Sequence, residues 1–405
     1  MAKKPTTLIG KIFSPLGSFW LAVALLVNLF LLTWLGTLEQ VEKGIHQVQE
    51  EYFESWVVLA KAGKMRLLLP GGYITMGLFT LNLLVGGMVR IRKSRRTVGV
   101  IIAHVGIALM MLGGLVEHAT SIYGRIALKE GEQGSNFEEY SGWELVLWDA
   151  SQTRDVQEFT LSEDKLEGLD GGTQRVLESG DLPFRIVATR YMRNSLPTST
   201  SRIQPGDEMD APDYDGFFLA EQRRSKEAEA DVPGLYLRAE ALNGRTVAES
   251  FIFGRDKHPL TFEAGGKSWA VALRHRRHSM PFSLRLEKFT KDDHPGISMA
   301  RAYSSSVVQI DEDGSEVPVL IEMNKPLRSD GLIIYQASYG PPEGVPGEPY
   351  TVLAVSRNPS DRIPWISVAV IALGLIWTFL DRLFLFLGKE RRRTAQAASA
   401  QGDQR

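Results

Sequence analysis

Not one cysteine occurs among the 405 residues. That excludes disulfides, thiol nucleophiles, cysteine-ligated zinc and cysteine-held iron–sulfur clusters together. A basic excess is missing too. The 46 Lys and Arg face 48 Asp and Glu, a formal net charge of −2, so no positive field exists for a phosphate backbone and no nucleic acid is expected as a partner. The sequence has no G-x-x-x-x-G-K, G-x-S-x-G, H-E-x-x-H or C-x-x-C-H. Carboxylate pairs at Asp292/Asp293 and among Asp311, Glu312 and Asp313 sit in turn-like segments, where solvated carboxylates are the normal use. No self-contained hydrolase or transferase site can be assembled, and no catalysis is expected from the chain alone.

Long apolar runs are present, and they are sharply segregated. Residues 16–36, 67–89, 98–116 and 365–386 are each long enough to cross a hydrocarbon core of roughly 30 Å as a helix. The first run exceeds the length of a signal-peptide core and no A-x-A site follows it, so it is read as retained. Basic residues gather at Lys3, Lys4 and Lys11, in the link from Arg90 to Arg96 and at Lys389-Glu390-Arg391-Arg392-Arg393. All three clusters fall on one side of a membrane if four spans leave both termini in the cytoplasm. The expected architecture is a multi-pass protein of the cytoplasmic (inner) membrane. Residues 1–119 hold three transmembrane helices, 120–363 form one large extracytoplasmic domain, and 364–405 hold the fourth helix and a basic cytoplasmic tail.

Residues 120–363 read as β-rich. The segments beginning at Arg125, Trp143, Phe184 and Leu235 alternate or carry β-branched residues. Asn243-Gly244, Gly265-Gly266, Asp313-Gly314 and Asp330-Gly331 are hairpin signals. The expected fold class is therefore four transmembrane α-helices with a sandwich-like β domain inserted between helices 3 and 4. Trp143 and Trp148 are read as core, residues 197–233 as a long polar loop, and residues 51–61 as a short interfacial helix.

Among side chains with chemistry, His104 is the sharpest: an ionisable group inside a membrane helix needs a partner or a ligand there. Neutral imidazole is an axial ligand for haem iron, and the plain alternative is a hydrogen bond to a neighbouring helix. His118 lies fourteen positions on, within about 40° of the same helix face and some 21 Å along it. It reads either as a second site at the opposite membrane surface or as an interfacial histidine in water. Asn28 and Asn82 are expected to bond between helices. The run Arg274-His275-Arg276-Arg277-His278 could receive propionates or an acidic partner, or form a solvated face.

The arrangement resembles the ResB-like family of cytochrome c biogenesis proteins. The likeness is carried by Leu35-Gly36-Thr37-Leu38-Glu39-Gln40, Tyr52-Phe53-Glu54-Ser55-Trp56, Pro70-Gly71-Gly72-Tyr73, the histidine-bearing third helix with His104, and Lys129-Glu130-Gly131-Glu132. Its most specific stretch is Met323-Asn324-Lys325-Pro326-Leu327, followed by Gly331 and Tyr335-Gln336-Ala337-Ser338-Tyr339. Asn324, Pro326, Gly331, Tyr335 and Gln336 thus form a motif without an assigned role. The resemblance implies a non-catalytic or co-catalytic subunit of a haem-delivery and haem-attachment complex. It implies that His104 is an axial ligand to haem b within the membrane; His118 stays a weaker cofactor candidate on its position alone. The implied partners are the lipid bilayer, apocytochrome c and a multi-span tryptophan-rich cytochrome c assembly protein (ResC/CcsA-like). This chain departs from the family in its shorter outer domain, in Ser360 where a glycine is usual, and in having no tryptophan-rich loop. The alternative is a haem-free scaffold that stabilises a membrane assembly through its β domain.

Overall fold

The computed structural model describes residues 15–63, 65–152, 156–170, 172–202, 211–296, 300–341 and 347–402. Lys3, Lys4 and Lys11 lie outside them. The chain divides into two compact units, Met1–Ser121 with Asn358–Arg405, and Ile122–Arg357.

The first unit contains helices α1 (Phe19–Lys43), α2 (Gly72–Asn82, continued by a π-helical turn over Leu83–Val89), α3 (Val98–Thr120) and α4 (Ile363–Gly402). All four are long and apolar enough to cross a membrane. The second helix starts later than the apolar run that announces it. Residues 67–70 belong instead to strand β2 (Met65–Pro70), paired with β1 (Val57–Ala62). Pro70 has no N–H to donate, and Gly71 and Gly72 open the helix in close contact with the backbone at Ser55 and Phe53. The same hairpin corrects the expected interfacial helix over residues 51–61. Helix persists only to Phe53, because Val57–Ala62 has a period of two: Val58 and Ala60 are buried against Leu32, Leu35 and Tyr52, while Val57 and Leu59 face outward.

The two asparagines within these helices are satisfied. Asn28 donates from Nδ2 to Thr75 Oγ1 at 2.8 Å and to the Pro70 carbonyl at 2.9 Å, tying α1 to the start of α2. Asn82 donates to the carbonyls of Leu16 and Ser18 at 2.6 and 3.0 Å. Such bonds contribute about 0.5–2 kcal/mol each in a membrane. Helices α3 and α4 pack through small residues. A Cβ on Gly106 would lie 2.6 Å from Ile371 Cγ1 and 2.9 Å from its backbone N, and one on Gly113 would lie 2.6 Å from Ile363 Cγ2. Gly374 lies equally close to the Ala103 backbone. Glycines seven residues apart on α3 therefore set the closeness of the pair, as expected where no hydrophobic effect drives helices together.

The second unit is all β apart from short 3-10 turns: β3 (Ile122–Lys129), β4 (Gln133–Asp149), β5 (Glu158–Ser162), β6 (Gln174–Leu177), β7 (Phe184–Met192), β8 (Ser195–Ser199), β9 (Phe217–Glu221), β10 (Gly234–Ala241), β11 (Thr246–Phe253), β12 (Leu260–Ala264), β13 (Lys267–Asp293), β14 (Ala300–Asp311), β15 (Glu316–Glu322), β16 (Leu327–Ser329), β17 (Leu332–Gly340) and β18 (Tyr350–Arg357). The expected long loop over residues 197–233 is in part a hairpin of β8 with β9, and residues 203–210 lie outside the described set. The four Gly-containing turn signals are turns with positive φ at Gly244, Gly265, Gly266, Gly314 and Gly331.

Two long strands organise the unit. Their first core lies between a row β5-β4-β13-β12 and the sheet β11-β10-β7-β6, filled by Trp143, Leu145, Leu147, Phe184, Ile186, Leu235, Leu237, Trp269 and Val271. Trp143 is buried there, and Trp148 is half-buried. The second core lies within β3, the outer parts of β4 and β13, and β14–β18, a curled sheet whose ends approach where β15 meets β16 and β17. Phe137, Leu284, Leu286, Ile321, Ile334 and Leu353 fill it. Each of β4 and β13 contributes to both cores.

Candidate functional site

His104 lies six residues into α3, about 9 Å along the helix from its first residue. Its Nδ1 is 2.7 Å from the Val100 carbonyl one turn back. A carbonyl only accepts, so Nδ1 carries a proton, and in the neutral ring the lone pair is left on Nε2. That is the tautomer a metal-binding imidazole needs, with the second nitrogen held by a backbone acceptor. The ring lies against the π-helical turn Leu83–Val89. A Cβ on Gly87 would come within 2.8 Å of Nε2 and 3.0 Å of Cγ. Only glycine leaves room for the imidazole there. A π-turn of this kind is uncommon and is found mostly at functional sites.

His118, near the other end of α3, is placed differently. Its Nε2 is 3.4 Å from the Tyr73 hydroxyl and its Nδ1 is 3.7 Å from Glu54 Oε1. The rings of Tyr73 and His118 meet edge to face at 6.1 Å, and Trp56 meets Tyr73 at 5.7 Å. Both imidazole nitrogens therefore face partners from the chain itself, whereas His104 holds one nitrogen in reserve. Among the described residues no group of three or more His, Cys, Asp or Glu could hold a metal ion. A single axial imidazole is outside that description.

The basic run on β13 is not bare: its arginines are ion-paired, although Arg277 stays exposed. Arg274 donates to Glu144 Oε1 at 2.9 Å and to Glu158 Oε1 at 2.8 Å. Arg277 donates to Glu138 Oε1 at 3.1 Å, and His278 Nε2 lies 2.6 Å from Glu139 Oε1. Arg276 reaches Asp164 at 3.4 Å. The acidic partner that sequence left open is thus found within the same unit, largely on β4. His275 stacks on Trp143 with ring centroids 4.1 Å apart, its Nδ1 buried without a hydrogen bond.

Burial, reinforced by the charge of Arg125, holds His275 below its ordinary pKa of 6.5. Above 6.5 the folded and unfolded chains both keep this ring neutral. Below it the unfolded chain takes up a proton that the folded one resists, so the contribution of His275 to stability is lost as pH falls from 6.5 toward the lowered value. Replacing His275 with Phe is expected to flatten the loss of melting temperature between pH 7 and about 5. Parallel pH slopes for the two proteins would refute this.

The motif from Asn324 to Gln336 is mostly structural. Gln336 is buried, and Ser305 and Thr351 are fully so. Ser305 donates to Gln336 Oε1 at 2.6 Å, and Gln336 Nε2 donates to Thr351 Oγ1 at 2.7 Å. Gly331 takes φ of 76° in the turn between β16 and β17. Pro326 follows the tight Glu322–Lys325 bridge and has no N–H with which to extend it. Asn324 is exposed, and Tyr335 is 39% exposed.

Comparison with known proteins falls on this same stretch. Residues 260–345 match the model of the ResB-like family. That segment is ResB-like. Protein NrfI of Wolinella succinogenes is 29% identical over 117 residues, covering 28% of this chain and 12% of NrfI. The solved structure of Cytochrome c Heme Lyase CcmF aligns with 76% of this chain and 31% of that one at 11% identity, with a TM-score of 0.18, a likeness too slight to carry an argument. The chain spans well under half the length of either. The matched segment covers β12 to β17, which includes the Gln336 network and the basic run of β13 but neither His104 nor His118.

Proposed function

We propose that this chain is the membrane subunit of a cytochrome c biogenesis assembly, holding haem b through Nε2 of His104 and presenting Ile122–Arg357 outside the cytoplasm. The observation that carries this is the prepared imidazole: Nδ1 given to Val100, Nε2 kept free of the backbone, and Gly87 leaving the ring its space. The ResB-like segment supports the biological setting. In this reading both termini are cytoplasmic. The Arg90–Arg96 link lies on the inner side, and His104 sits in the inner half of the bilayer.

Haem b, when bound, supplies the vinyl groups to which the thiols of apocytochrome c add. The chain's own work is to bind and orient. His104 ligates, the α3–α4 pair keeps the ring at fixed depth, and the β unit, whose facing sheets share a core as a sandwich does, offers a surface to apocytochrome c or to a multi-span ResC/CcsA-like partner. A haem-free scaffold is the second reading. It is favoured by one observation: in the family-matched segment, Gln336 and Gly331 serve the fold rather than a ligand.

The visible spectrum of the chain purified with its partner decides between them. A Soret band is expected, reduced about tenfold or more in His104→Ala and restored by added imidazole. A colourless assembly that still matures cytochrome c would leave the scaffold reading in its place.

A further inference from the structure

The end of the β unit built on the first core is closed along one seam and open along the other. On the closed side β11 packs on β12 and β13. On the open side stand β5 and β6, which among the described residues pair only with β4 and β7 respectively. Between them runs a cleft of about 370 Å³, floored by Leu145, Leu147, Ile186 and Val271 and flanked by Phe159 and Leu177. Glu158, Glu178 and Ser179 stand at its rim. Glu158 is held by Arg274, while Glu178 is 63% exposed and only 3.5 Å from Arg185 at its nearest.

We propose that this seam binds an extended polypeptide segment, with an apolar side chain seated in the cleft and a basic neighbour against Glu178. Three features select a peptide. The outer edges of β5 and β6 carry backbone N–H and C=O groups that no strand serves, and an added strand satisfies them. Alternate residues of such a strand point the same way, so one or two side chains enter the apolar cleft while their neighbours meet the rim. An acyl chain would fill the cleft but leave the edge groups unserved. With five and four residues, β5 and β6 can each grip only a short segment. The size of the cleft is within the roughly 300–1,000 Å³ of ligand pockets. The site stands independently of His104 and of haem.

Because the chain has no cysteine, Ser179→Cys introduces a unique thiol at the rim, and an environment-sensitive dye placed there reports occupancy in the intact detergent-solubilised protein. The probe is the capped peptide Lys-Val-Lys-Phe-Lys-Val-Lys. It is expected to give a saturable emission shift. The same peptide N-methylated on its central amides should bind about tenfold more weakly or worse, as should the unmodified peptide to Leu177→Glu. Glu178→Lys, at an exposed position, should weaken binding at least about threefold with the melting temperature of the domain kept. Equal affinity for the N-methylated peptide would overturn strand addition. A shift with laurate and none with the peptide would make the seam an acyl-chain site, and no shift with either would remove the proposal.

Discussion

Gly87→Val is expected to strip haem from the purified assembly as completely as His104→Ala, although residue 87 has no group that could touch iron. A Cβ there would lie 3.0 Å from His104 Cγ and 2.8 Å from Nε2, with Cδ2 closer still. The branched side chain adds two methyl groups beyond that point, so the ring must leave its rotamer, and with it the bond from Nδ1 to Val100. Losses of this sort, where a supporting contact rather than the ligand is removed, run about 10- to 100-fold in metal affinity. The control is Gly114→Val on α3, where an added Cβ meets nothing within 4 Å. Soret absorbance per mole of protein should fall for the first variant and hold for the second. Equal haem content in both would show that the imidazole at 104 does not carry the cofactor.

The second large effect concerns a residue far from any proposed ligand. Gln336→Met preserves length and apolar bulk but leaves the hydroxyls of Ser305 and Thr351 in the core without their amide partner, though still 2.9 Å from each other. An unsatisfied buried polar group costs about 1–3 kcal/mol, and two are compromised here, so a loss of about 2–4 kcal/mol is expected. Replacing all three together, Ser305→Ala, Gln336→Met and Thr351→Val, should cost less than the single change, since no orphaned group then remains. Thermal or urea melts of the three proteins give the comparison. A single variant within about 0.5 kcal/mol of the parent would show that the network does not hold the curled sheet.

Much of the architecture was legible because it rests on local signals. Apolar length gave the helices, period-two alternation and Gly-containing turns gave the strands, and Asn28 and Asn82 were rightly placed as interhelical donors. The misses have a common physical cause. Residues 67–70 were merged into a helix because apolar content does not distinguish a strand from a helix over so short a stretch, and only pairing with Val57–Ala62 decides it. His104 stood out as an ionisable group in an apolar run, but Gly87 did not. A glycine among lipid-facing residues is unremarkable until the π-turn brings it under the ring. Gln336 was seen only as part of a motif, since its partners lie 31 residues before it and 15 after it in the chain. The basic run of β13 was noticed, while its carboxylates on β4, more than a hundred residues earlier, were not.

Strand β13 has a further consequence. Its 27 residues pass through one core and then the other, with β4 alongside for much of the way. Neither half of the unit can lose its packing without releasing a strand that the other half needs. Ile122–Arg357 therefore opens as a single cooperative element, and its slowest-exchanging amides should fall at both ends of β13 with the same free energy of opening. Loosening at the open seam of β5 and β6 should therefore be felt at the far end of the curled sheet, through the strands the two cores share.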